Sequence, residues 1–308
     1  MGLKNPFDYK TAAINATVPL GNASTYSKIA VSFPSSENDG EPCMGNVTGI
    51  CYFPTGTAKS PLVILAHGIG DSSIIPCHAL ARTLARSGIA SFVIYLPIHS
   101  RRLPKDMKER FYNLTLDEWF ELYRVSVVNI RQVLDWAQSR HEIDSDKIGI
   151  AGISFGGYVA GIALGIDDRL KAGALLLSCG NQEKLGWTRS TRRIPRYNVS
   201  EAVYKEGQKR YMAYVEEVSA HGFENVVVPR PSYSFDPFTF CSTIKTKPVF
   251  LANAIWDEYF PRVAAKEFWQ ACGRPNQLWL PSGHATAWLF YPLIRSNVVK
   301  LFRQAFLT

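Results

Sequence analysis

Apolar residues follow two rhythms along the chain. Short, nearly continuous apolar runs occur at Leu62–Ala66, Ser91–Leu96, Lys147–Ala151, Ala172–Leu177, Val249–Ala252 and Gln277–Leu280. Runs of that length and character suit strands of a parallel sheet covered on both faces. Ser27–Phe33 and Val47–Phe53 are strand-like as well and precede them, so eight strands are predicted. Between the strands, apolar residues recur at three- and four-residue spacing in Ile75–Ser87, Leu116–Arg140, Gly156–Gly165, Arg262–Cys272 and Pro292–Phe306, which predicts helices. Alternation of strand and helix predicts an α/β fold with a doubly wound, mostly parallel sheet, whose functional groups sit in the loops at the carboxyl ends of the strands.

One stretch breaks that alternation. About sixty residues from Asn181 to Ser242, rich in Arg, Tyr and Pro, separate the sixth predicted strand from the seventh. They contain a helical pattern over Val199–Ala220 and a proline-rich return through Val228-Pro-Arg-Pro-Ser-Tyr. The predicted organisation is a core of residues 1–180 and 243–308, with 181–242 inserted as a cap that does not fold alone. The segment up to about Ser24 fits no element; one expectation is an arm that packs on a neighbouring subunit of a homodimer.

Composition narrows the class. With 308 residues, 46% hydrophobic and 19% charged, the chain resembles an ordinary globular protein and is large enough to bury a core without metal or disulfide support. A net charge of +8 favours anionic neighbours. Yet no basic helix, RNA-binding signature or zinc-ligand spacing accompanies it, so the charge is read as a surface property and no nucleic-acid partner is expected. No apolar leader or membrane-length run is present, which predicts a cytoplasmic protein without a membrane span. Pro6 stands where a myristoylation signal needs Ser or Thr. The six cysteines lack Cys-x-x-Cys spacing and read as reduced, buried thiols; Cys43 and Cys51 flank a hairpin and could pair only in an exported protein.

The chemistry concentrates after the fifth strand, where Gly152-Ile153-Ser154-Phe155-Gly156-Gly157 leads into a helical segment. This is a G-x-S-x-G nucleophile elbow in its strand–turn–helix setting. A serine hydroxyl is a weak nucleophile and needs an imidazole base oriented by a carboxylate, and in such proteins these follow in the order serine, acid, histidine. Beyond the elbow only His221 and His284 remain. His221 falls in mid-cap, whereas His284 follows Gly283 just past the last strand, so His284 is the candidate base. Asp257, after the seventh strand, is the candidate acid, with Glu258, Glu183 and Asp236 as rivals. The third strand ends in His67-Gly68-Ile69-Gly70, where the backbone amide of Ile69 could join that of Phe155 as an oxyanion hole. His67 reads either as a second catalytic group or as a structural residue holding the loop, and Asp71-Ser72-Ser73 as a helix cap.

With HGIG, GISFGG, DEYFP and GH in order, the chain resembles the α/β-hydrolase superfamily from about Val47 to its end. Its opening, followed by PLVILAHGIGD, is loosely similar to the branch of dienelactone hydrolases, acetyl xylan esterases and acyl-peptidase relatives. Dienelactone hydrolases carry cysteine at the nucleophile position, where this chain has Ser154. The resemblance implies an α/β-hydrolase fold and an esterase with the triad Ser154, Asp257 and His284, acting on small to medium acyl esters through an acyl-enzyme, without metal or organic cofactor. A thioesterase or peptidase on the same core, or a non-catalytic receptor, are the other readings. Substrate preference falls to the cap and loops, where Trp187, Tyr233, Phe235, Phe238, Trp288 and Phe290 could line an apolar pocket or simply pack the cap. Arg193 and its neighbours Arg189, Arg192 and Arg196 could bind an anionic group or form a solvated face; His99, Arg101 and Arg102 follow the fourth strand and could approach the site.

Overall fold

The structure is a computed structural model that describes residues 5–11, 16–36, 45–187 and 198–307. Among these residues nine strands form one sheet: β1 (Ala16–Ala23), β2 (Tyr26–Pro34), β3 (Asn46–Pro54), β4 (Ser60–Ala66), β5 (Ala90–Tyr95), β6 (Ile143–Ile153), β7 (Leu170–Leu176), β8 (Val249–Ala254) and β9 (Asn276–Leu280). Their spatial order is β1-β2-β3-β5-β4-β6-β7-β8-β9. From β5 to β9 every pairing is parallel, and β1, β2 and β3 extend the sheet in antiparallel fashion. The helices, in chain order, are α1 (Ile74–Arg86), α2 (Lys105–Glu109), α3 (Leu116–Gln138), α4 (Phe155–Ile166), α5 (Gln182–Gly186), α6 (Glu201–His221), α7 (Pro231–Ser234), α8 (Cys241–Ile244), α9 (Arg262–Ala271) and α10 (Tyr291–Phe306). This is the α/β-hydrolase fold.

The sheet has nine strands rather than eight. The additional one, β1, hydrogen-bonds to β2 with an irregularity between Pro19 and Gly21, and from Thr17 onward its side chains are exposed. A strand held by its ladder alone leaves no alternating apolar signal to read. Among the described residues before β1, Phe7 is fully buried in this chain's own core, edge-on to Phe235 at 5.5 Å. Arg131 of α3 donates to its carbonyl oxygen at 2.7 Å, and Tyr9 donates to Asp135.

Two apolar layers flank the sheet. One gathers α1 and α10; the other gathers α3, α4, α9 and the residues between β7 and β8. Helix α4 is apolar on all sides and almost wholly buried, as a helix enclosed by both sheet and helices must be. Its glycines at 161 and 165 admit the returning stretch of the excursion: a Cβ at Gly161 would lie 2.8 Å from Pro237, and one at Gly165 2.2 Å from Phe240. Tyr211, Tyr233, Phe235, Phe238 and Phe240 belong to the same cluster as the α3–α4 core, so the excursion shares its hydrophobic core with the sheet. Asp236, fully buried, joins the two: it accepts from the backbone amides of Asn181 (3.0 Å), Gln182 (2.5 Å) and Phe238 (2.9 Å). No helix among the described residues is long and apolar enough to cross a membrane.

Candidate active site

Strands β4 and β6 are neighbours, and the chain leaves β4 toward β5 and β6 toward β7, in opposite directions along the sheet, so the strand order reverses between β4 and β6. The loops leaving those two strands at their carboxyl ends stand at the general location of ligand sites in open α/β sheets. Gly68 follows β4 and Ser154 follows β6. The two loops touch there: a Cβ on Gly68 would lie 3.2 Å from Ser154 Cβ.

Ser154 sits at φ 55°, ψ −118°, a sparsely populated conformation that persists only where its surroundings enforce it. Its amide donates to the carbonyl of Leu176 at 2.8 Å, and its own carbonyl accepts from Tyr158 at 2.9 Å in the first turn of α4. The flanking glycines are dictated by backbone proximity. A Cβ on Gly152 would fall 2.1 Å from the Gly156 carbonyl oxygen, and one on Gly156 2.2 Å from that of Ala66. Phe155 begins α4, so its amide is among the unpaired donors of the helix amino terminus, where the helix dipole favours negative charge.

His284 lies beyond β9. Its Nε2 is 2.9 Å from Ser154 Oγ, and its Nδ1 is 2.8 Å from Asp257 Oδ2. The Asp257 side chain is 1% exposed and that of His284 15%. The other carboxylate oxygen, Oδ1, accepts from the amides of Tyr259 and Phe260 at 2.9 Å each, which orients the group. With Nδ1–H donated to Asp257, Nε2 is left to accept the serine proton. Glu258 faces the backbone of this histidine instead, accepting from His284 N at 3.2 Å. The other rivals are engaged elsewhere: Glu183 with Arg230 at 3.2 Å, Asp236 at the base of the excursion. His221 is exposed near Glu217 on α6.

The loop after β4 is fastened from beneath. His67 is fully buried, and its Nε2 accepts from Leu96 N at 3.0 Å. Nδ1 therefore carries the proton and donates to the Gly68 carbonyl at 2.7 Å. Ser73 Oγ donates to the same carbonyl at 2.5 Å. Ser73 makes no side-chain cap on α1, so its expected capping role is replaced by this contact. His99 and Arg102 are buried; Arg102 donates to Tyr95 O at 2.7 Å and to Asn129 Oδ1 at 2.9 Å, whereas Arg101 is exposed.

Among the aromatic candidates, Trp187 stacks on Tyr204 of α6 at 4.5 Å. Phe235 is buried between Phe7 and Phe120, and Trp288 packs by Tyr291 at 6.0 Å. Arg193, like Arg189, Arg192 and Arg196, lies outside the described residues. The rings that do meet the histidine are Tyr259, edge-on at 5.0 Å, and Phe260, stacked at 5.8 Å. On the elbow side, Phe155 stacks on Tyr123 at 5.3 Å and approaches Trp119 at 6.4 Å. Sequence reasoning does not single out these neighbours, although Tyr259 and Phe260 stand two and three residues after Asp257 and Trp119 and Tyr123 share one face of α3.

Comparison with known proteins agrees with this architecture. Residues 107–230 match the model of the prolyl oligopeptidase family. No curated protein matches the sequence significantly. Among solved structures, the chain is similar to a cold-adapted esterase from an Arctic intertidal metagenomic library, with a TM-score of 0.59 at 14% identity over 96% of this chain and 100% of the other. It is similar as well to the α/β hydrolase GrgF from Penicillium sp. sh18, with a TM-score of 0.59 at 15% identity over 91% and 99%. An acetyl xylan esterase from Paenibacillus sp. R4 gives 0.56 at 16% identity over 92% and 89%. The chain is an α/β-hydrolase by fold, and its central segment resembles the prolyl oligopeptidase family.

Proposed function

We propose that the protein is a serine-dependent carboxylic ester hydrolase acting on small to medium acyl esters. The observation that carries this is the continuous hydrogen-bonded line from Ser154 Oγ through His284 to Asp257, at 2.9 and 2.8 Å. Ser154 attacks the ester carbonyl as His284 Nε2 takes its proton, and Asp257 stabilises the imidazolium. The amides of Ile69 and Phe155 receive the developing oxyanion. The alcohol leaves with the proton from His284. Water, activated by the same histidine, then releases the acid and restores Ser154.

Residues 181–242 serve in this proposal as the cap over the site, and no nucleic acid or cofactor takes part. Among the described residues, Cys51, Cys77, Cys179, Cys241 and Cys272 are buried and free, which suits a reducing, cytoplasmic setting. The match to the prolyl oligopeptidase family over residues 107–230 favours a second reading, a peptidase on the same core. The test is hydrolysis of p-nitrophenyl esters from acetate to laurate beside aminoacyl p-nitroanilides, with Ser154→Ala in parallel. Ester turnover that disappears in the variant supports the esterase. Turnover confined to the anilides supports the peptidase, and a folded protein inert on both sinks each.

A further inference from the structure

We propose that Ser73 is a positioning residue for the oxyanion hole, holding the Gly68–Ile69 peptide in the orientation that presents the Ile69 amide to the reacting carbonyl. The inference rests on the reading of Ser154 as nucleophile and of the Ile69 amide as a donor. A trans peptide is planar, with its C=O and N–H pointing in opposite directions. Fastening the Gly68 carbonyl on one side therefore aims the Ile69 N–H at the other. The carbonyl is fastened twice, by Ser73 Oγ at 2.5 Å and by protonated His67 Nδ1 at 2.7 Å. Two donors fill both of its lone pairs.

This peptide needs such a latch. Gly68 and Gly70 bracket Ile69, and Gly70 has φ +88°, so the local chain is open to conformations closed to other residues. A flip of the Gly68–Ile69 peptide would turn its carbonyl oxygen toward Ser154, replacing a donor with an acceptor where negative charge develops. Position 73 is well placed to prevent this. Its own amide donates to the Gly70 carbonyl at 2.9 Å, which closes the turn and brings the hydroxyl back over Gly68. His67 is committed to the fold through Leu96 and is the less selective residue to perturb. The Ser73 hydroxyl serves no helix cap and can be removed singly.

One neutral hydrogen bond holds the oriented form by about two- to tenfold over the flipped one, so Ser73→Ala is expected to lower kcat by about that factor. KM should change less than about twofold, because the ground-state ester does not yet carry the charge. Affinity for phenylboronic acid, which forms a tetrahedral anionic adduct on Ser154, should weaken by the same factor as kcat. Ser73→Thr, which keeps the hydroxyl, should restore both. Full kcat in Ser73→Ala, a loss that Ser73→Thr does not restore, or equal changes in KM and kcat would overturn the inference. Ser154→Ala is run beside them: turnover that survives in it removes the nucleophile reading itself, whereas Ser154-dependent turnover indifferent to Ser73 removes this inference alone.

Discussion

Asp236→Asn should change the pH dependence of stability in a direction fixed by burial. The carboxyl is fully buried at the junction of the excursion and the sheet. Loss of hydration pushes it from 3.8 up to about 6, against the pull of the amides of Gln182, Phe238 and Asn181. A carboxyl raised in the folded state binds its proton there at pH values where the unfolded chain has already released it. Stability is therefore greatest below the unfolded value and falls as pH rises through about 6. Two pH units at 1.36 kcal/mol each give about 3 kcal/mol across the whole window, of which about 2 kcal/mol has been gained on acidification from pH 7.5 to 4.5. Asparagine keeps the shape and the oxygen facing Asn181 and Phe238 but sets an amide nitrogen against the Gln182 amide, a cost of about 1–3 kcal/mol that does not depend on pH. Urea denaturation of both proteins at pH 7.5 and 4.5 measures the difference. Wild type should gain about 2 kcal/mol relative to the variant on acidification. A wild-type-minus-variant difference that stays constant between the two pH values would show that the amides hold the carboxylate ionised throughout, and the reasoning from burial would fail.

Asp257→Asn leaves His284 without the acceptor that fixes its tautomer and should lower kcat on the order of 10⁴-fold, while Glu258→Gln stays within about tenfold; steady-state kinetics on one ester separates the two acids. Gly156→Ala places a Cβ 2.2 Å from the Ala66 carbonyl oxygen and 2.6 Å from that of His67, backbone that cannot yield, so thermal melting should show a loss above about 3 kcal/mol or no folded protein. Phe7→Ala empties a fully buried site against Phe235 and Phe223 and should cost about 3–5 kcal/mol in urea denaturation; a loss below about 1 kcal/mol would mean that the amino-terminal strap contributes little.

Features written in contiguous residues were legible from the chain alone. The elbow is local, because Gly152, Ser154 and Gly156 answer to a turn only a few residues long. The central parallel strands β4, β5, β7 and β8 announce themselves because strands buried on both faces are continuously apolar, and His284 and Asp257 could be singled out because they stand just beyond strand ends. Strand β1 was illegible for the opposite reason: exposed on both faces and broken by Pro19 and Gly21, it has no periodicity to detect.

Hydrophobicity predicts burial but not the surface against which a side chain is buried. Phe235 and Trp187 therefore read as pocket candidates and turn out to pack against Phe7, Phe120 and Tyr204, while Tyr259 and Phe260 meet His284 and Trp119 and Tyr123 meet Phe155 in the candidate site. The same limit applies to polar groups. Serine immediately before a helix has the signature of a cap, yet the Ser73 hydroxyl goes to Gly68, and the proton position on His67 depends on the amide of Leu96, 29 residues away. Local composition and spacing determine turns, helices and strands, since these depend on neighbours in the chain. Which donor meets which acceptor across the sheet, and which rings surround Ser154 and His284, is settled only when strands distant in sequence lie side by side.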